Sequence, residues 1–123
     1  MAPHAIIDEF TTQNNAEHQE NSVREQLEKL LASGRDNALL RFGLGNACFK
    51  DGDAEAAALH LEQATRQNPL YSAAWKLLGK ALLARDRTAD AEAAWTQGLE
   101  VALRQGDLQS TREMTVFLRR LRR

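Results

Sequence analysis

The residues able to do chemistry are few in this chain and poorly placed for it. Its three histidines, His4, His18 and His60, are scattered, without the short spacings that bring two ligands to one metal ion. Glu62 follows His60 by two positions, an offset that points the pair to different faces of a helix. No serine or cysteine has a histidine at a spacing that reads as nucleophile and base. Gly43 and Gly45 fall inside a helical pattern with no strand before them, so they do not form a phosphate-cradling loop. Cys48 is the single cysteine; it excludes an internal disulfide, accepts a reducing compartment, and reads as a small buried hydrophobe. The closing Arg119-Arg120-Leu121-Arg122-Arg123 has no aromatic platform beside it. It reads as a solvated helix end whose cations suit the negative pole of the dipole, rather than as a nucleic-acid or lipid contact. These residues predict no catalysis, no cofactor and no metal.

Composition agrees with that reading. The 123 residues suit one domain, and 43% hydrophobic with 27% charged residues is globular. A net charge of −1 gives no bulk attraction for nucleic acid or anionic membrane. The acids Asp8, Glu9, Glu17, Glu20, Glu25 and Glu28 gather toward the N-terminus. No apolar run reaches membrane-spanning length, and Met1–Asp8 lacks the basic leader and apolar stretch of a signal peptide. The expected location is the cytoplasm.

Alanine and leucine are plentiful, aromatics are only 6%, and strand-favouring residues are few, so the elements should be helices. Residues 1–21 are polar and unpatterned and are expected to be a mobile tail, with one short apolar patch at Ala5-Ile6-Ile7 and Phe10. Ser22 and Glu25 make a capping box for a first helix whose Val23, Leu27, Leu30 and Leu31 share one stripe. Gly34 is placed to end it. Further helices are expected over about 37–50, 54–67, 72–85, 88–104 and from 108 to near the end. Asp51-Gly52-Asp53, Asn68-Pro69 and Gly106-Asp107 punctuate them. The last helix puts Met114, Phe117, Leu118 and Leu121 on one face.

Within this pattern the chain repeats itself. Leu44-Gly45 recurs as Leu78-Gly79, Ala47 as Ala81, Ala57 as Ala91, Leu61 as Trp95 and Ala64 as Gly98. Each pair is 34 residues apart, as in 79 − 45 = 34, the length of a helix–turn–helix repeat. Small residues at these places let two antiparallel helices approach, while Leu61, Trp75 and Trp95 fill the spaces between. Leu44 to Asp53 with Ala57, Leu61, Ala64 and Pro69 resembles one full tetratricopeptide repeat, and Ala74 to Ala81 resembles the opening of a second. The ending from Gly106 to Leu121 is similar to the closing helix of small bacterial proteins of this kind. The resemblance implies an all-α chain of antiparallel hairpins stacked as a short right-handed α-solenoid. Two repeats, about 38–71 and 72–105, would sit in one domain over 22–123. Since three repeats are usually needed for a continuous core, helices at 22–33 and 108–121 are expected to cap the pair. Two positions depart from the pattern: Leu103 stands where the first repeat has Pro69, and Asp86-Arg87 replaces Gly52-Asp53.

The resemblance also implies a role: in this family the first helix of each repeat lines a concave groove where peptides lie. That geometry nominates Leu39, Phe42, Asn46, Phe49 and Lys50 from one repeat, and Ala73, Lys76, Lys80, Leu83 and Ala84 from the next. The lysines would suit carboxylates and the phenylalanines an apolar side chain. Against this stand two alternatives: Phe42 and Phe49 are core, or one of the chain's own terminal helices occupies the groove. A clamp for a chaperone tail is not expected, because only Asn46 matches it and Leu77 stands where a polar residue is wanted. The expected role is a protein- or peptide-binding adaptor; the alternative is a self-assembling module, a homodimer through a capping helix.

Overall fold

The computed structural model describes residues 23–123; the tail expected over 1–21 and Ser22 of the capping box lie outside the described residues. The described chain forms six helices and no strand: α1 over 23–32, α2 (Ala38–Lys50), α3 (Ala54–Gln67), α4 (Ser72–Ala84), α5 (Thr88–Gln105) and α6 (Leu108–Leu121). Three helices begin on a side chain that satisfies an orphan amide. Asn37 accepts from the Leu40 amide at 2.8 Å, Asp53 from Ala56 at 3.1 Å and Asp107 from Ser110 at 3.1 Å. With no proline at 103, α5 runs 18 residues against 14 for α3, as the substitution of Leu103 for the proline position anticipates.

Each hairpin closes where a glycine meets a large side chain. Gly45 on α2 faces Leu61 on α3, and Gly79 on α4 faces the Trp95 indole on α5; a Cβ on either glycine would enter the opposing side chain. The indole is held in place by Nε1–H, which donates to the Lys76 carbonyl at 2.9 Å. Gly98 then lets α5 receive both Trp75 and Met114, so the same device stacks the second hairpin onto α6. Leu44, Cys48, Leu61, Trp95 and Met114 are buried at the centre of the resulting slab. Burial pushes the Cys48 thiol above its ordinary pKa, which keeps it protonated. The architecture is a short α-solenoid of antiparallel hairpins.

The two ends are unequal. On α6, Met114 and Leu118 are buried, and Phe117 packs on Trp95 with ring centroids 5.0 Å apart. On α1 no described residue is buried. The expected stripe of Val23, Leu27, Leu30 and Leu31 is split: Leu27 and Leu31 are half-buried, whereas Val23 is 52% and Leu30 38% exposed. The reason is positional. An end helix has a neighbour on one side, and α1 meets α2 through Leu27 against Gly43. Arg24 fastens it instead, reaching Asp53 at 3.0 Å and Asp51 at 3.4 Å across the α2–α3 turn.

Candidate functional site

The first helices of the two hairpins, α2 and α4, lie side by side, and between them opens a cleft of about 170 Å³ lined by Phe42, Asn46, Ala73, Lys76, Leu77 and Lys80. Five of the nominated residues, Phe42, Asn46, Ala73, Lys76 and Lys80, are therefore brought together. The 34-residue register explains why: Phe42 and Lys76 occupy equivalent positions, as do Asn46 and Lys80. Phe42 is steadied by Tyr71, whose ring centroid is 5.0 Å away, so it serves both as a wall of the cleft and as packing.

The other nominated residues lie elsewhere. Phe49 packs against the core, as its alternative reading held. Lys50 lines a separate cleft with Val23, Gly43, Asn46, Ala47 and Asp51, between α1 and α2. Leu39 is 73% exposed at the start of α2, beside Leu70 and Tyr71. Leu83 is exposed toward the end of α4. A spacing argument places residues on a helix face, but a groove shorter than the helix captures only the middle of that face.

Behind the two lysines of the cleft α6 forms a wall, which the repeat pattern does not reach. Glu113 pairs with Lys76 Nζ at 2.9 Å, and Lys80 Nζ sits 5.3 Å from the centre of the Phe117 ring, within cation–π range. The bond from Lys76, helped by Gln109, holds the Glu113 carboxyl below its ordinary pKa. Arg120 follows Glu113 by seven positions and Phe117 by three, so it continues the same helical stripe. Ser72 at the head of α4 donates to Asp107 at 2.8 Å, tying the α3–α4 turn to the start of α6 and setting the position of that wall. Sequence reasoning missed Glu113 as a partner of Lys76. The available signal was the offset of 37 residues from Lys76 to Glu113 and from Lys80 to Phe117, three longer than the repeat. α5 is four residues longer than α3 and the turn after it two shorter, so α6 begins 36 residues after α4 (108 − 72) where the repeat would give 34.

Chemically, the cleft offers two ammonium groups, one already matched by a carboxylate, above a floor of Phe42, Ala73 and Leu77. That combination holds carboxylates and apolar side chains. Among the described residues there is no group of three or more His, Cys, Asp or Glu able to hold a metal ion, and no helix long and apolar enough to cross a membrane.

Paired antiparallel helices repeating every 34 residues, with their first helices forming one face, define a helical-hairpin repeat protein. The comparisons with known proteins narrow the class. The tetratricopeptide-repeat family model matches residues 24–62 and 49–107. A TPR repeat-containing protein of Pseudomonas aeruginosa is 59% identical over 99 residues, 80% of this chain and 94% of that protein. A solution structure of a Bordetella parapertussis protein superposes with a TM-score of 0.70 at 46% identity, covering 80% of this chain and 86% of that one. The chain belongs to the tetratricopeptide-repeat family, whose members generally mediate protein–protein interaction.

Proposed function

We propose that this chain is a non-catalytic adaptor that takes a peptide or helix of a partner protein into the cleft between α2 and α4. One observation carries the reading: Phe42, Asn46, Ala73, Lys76 and Lys80, nominated from two repeats, line a single cleft with Leu77. Exposed Lys80 recruits a carboxylate and the apolar floor takes a neighbouring side chain. Glu113 limits the charge available at Lys76, so Lys80 is the more effective cation for a ligand. Buried, protonated Cys48 suits a reducing setting, here the cytoplasm.

Lys80→Glu tests it, because Lys80 is exposed and its replacement leaves the core intact. Pull-downs from the native host should lose the partners that the wild type retains, while stability falls by no more than the lost Phe117 contact, about 0.5–1 kcal/mol. Identical partner sets from both proteins would count against the cleft.

A second reading, a self-assembling module, draws on Leu39, Leu70, Leu103 and Leu108, each between 52% and 73% exposed. All four sit at or near the edge where α3 and α5 end and α2, α4 and α6 begin, and Leu108 opens the C-terminal capping helix. Sedimentation distinguishes this reading: a monomer persisting at high concentration removes it.

A further inference from the structure

Resting on the cleft reading above, we infer that the chain's own residues 1–22 are an intramolecular ligand of the α2–α4 cleft, competing with a partner's segment. The first support is charge. Residues 1–22 hold Asp8, Glu9, Glu17 and Glu20 and no lysine or arginine, so residues 23–123 hold 16 basic against 13 acidic side chains, a balance of +3 (16 − 13). The two adjoining hollows and the helix behind them carry Lys50, Lys76 and Lys80, with Arg120 continuing the α6 stripe, against Asp51 and Glu113. The second support is side-chain type: Ile6, Ile7 and Phe10 flank Asp8 and Glu9, the mixture that apolar Phe42, Ala73 and Leu77 beside ammonium groups would take.

The third support is where the described chain begins. Val23 lines a cleft with Asn46 and Lys50, and Asn46 also lines the α2–α4 cleft, so the two hollows adjoin at one side chain. Val23, where the described chain begins, therefore lines the hollow that adjoins the groove. Phe10 precedes Val23 by 13 residues, and extended chain covers about 3.3 Å per residue, giving a reach of roughly 40 Å. Crossing from α2 to α6 at helix spacings of about 8–10 Å takes roughly 20 Å. The reach is sufficient. A tethered segment of low intrinsic affinity can still hold the cleft, because its effective concentration is in the millimolar range for a short linker.

The test uses the full chain. A nitroxide attached through Gln13→Cys, with fully buried Cys48 left unreacted, should broaden the amide signals of Asn46, Lys76 and Lys80 at low salt. The broadening should vanish at high salt and in the variant Asp8→Lys/Glu9→Lys/Glu17→Lys/Glu20→Lys. A synthetic peptide of residues 1–22 should bind this charge-reversed chain at least about tenfold more tightly than the wild type, whose cleft is already filled. Absence of broadening at those three amides overturns the inference. So does broadening that persists in a mixture where the label and the observed nuclei are on different molecules, since that contact is between copies. If the label leaves the cleft untouched while the peptide still shifts Asn46, Lys76 and Lys80 of the charge-reversed chain, the intramolecular contact is wrong and the cleft reading survives. If the peptide shifts none of them in either chain, both readings fall.

Discussion

Gly79 and Trp95 show how a repeat position becomes a packing constraint. A Cβ at Gly79 would stand inside an indole that is hydrogen-bonded to the Lys76 carbonyl and buried to 2% exposure, so the ring has nowhere to move. At Gly45 the closest atom is the Cγ of buried Leu61, which only a χ1 or backbone shift can move, but no hydrogen bond holds that side chain in place. Gly79→Ala should therefore cost about 3 kcal/mol, near the upper end for overpacking, and Gly45→Ala about 1–2 kcal/mol. Urea denaturation checks the order; equal losses would show that the tryptophan is not pinned. His60 is a second case. Arg41 Nη1 donates to its Nδ1 at 3.2 Å, which requires a neutral ring. Burial, then the Arg41 charge, pushes its pKa below 6.5. The unfolded chain thus binds this proton first, so stability present above about pH 6.5 falls as pH drops toward the folded pKa. His60→Gln keeps an acceptor for Arg41 without titrating. Its melting temperature should stay flatter than the wild type's between pH 7 and 5.5, and parallel curves would remove His60 as the source.

The two hairpin turns differ by a local rule at the level of elements. In the first, Gly52 takes φ +83° and Asp53 caps α3. In the second, the equivalent Asp86 is forced to φ +58° and Arg87 heads α5 with no side-chain cap bond. A non-glycine residue in this region costs roughly 1–2 kcal/mol, less for aspartate than for most, and a missing cap about 1 kcal/mol. Importing the first turn as Asp86→Gly/Arg87→Asp should stabilise the protein by about 1–2 kcal/mol, raising the melting temperature by several degrees. A lower melting temperature would mean that the Arg87–Asp90 pair outweighs the cap. Helices, turns and hairpin pairing were legible in the sequence because periodicity, capping residues and the 34-residue register are local signals. The substitution at Asp86-Arg87 marked an altered turn, but not which residue would carry the left-handed angle. The Lys76–Glu113 wall was not legible, since its offset depends on how far α5 continues past Leu103. Likewise Leu39 and Lys50 matched the expected helix face, yet where the cleft stops along that face is set by neighbouring helices.

Across the whole molecule, stability should be graded from one end of the solenoid to the other, because each helix draws its burial from its neighbours. The C-terminal end is closed by Met114 at 0% exposure against Gly98 and by Phe117 against Trp95, with Leu118 at 4% exposure beside them on α6. The N-terminal end is held by Leu27 beside Gly43 and by the Arg24 ion pairs, with Val23 and Leu30 left in solvent. Partly exposed ion pairs contribute up to about 1 kcal/mol each, whereas truncating a buried methionine costs about 2–5 kcal/mol. Met114→Ala should accordingly lose several times as much stability as Leu27→Ala. The same gradient predicts amide exchange. The amides of α1 should open through local fluctuations well below the global unfolding free energy, while those of α5 and the core-facing turns of α6 exchange only with global unfolding. This asymmetry also bears on the cleft. Its α4 side, with Glu113 and Phe117 of α6 behind Lys76 and Lys80, belongs to the stable end, so a ligand held by Lys80 would meet a preformed surface, while the side toward α1 would yield without unfolding the rest. Uniform protection across α1 and α6 would overturn the gradient and show that the N-terminal helix is held by more than Leu27 and Arg24.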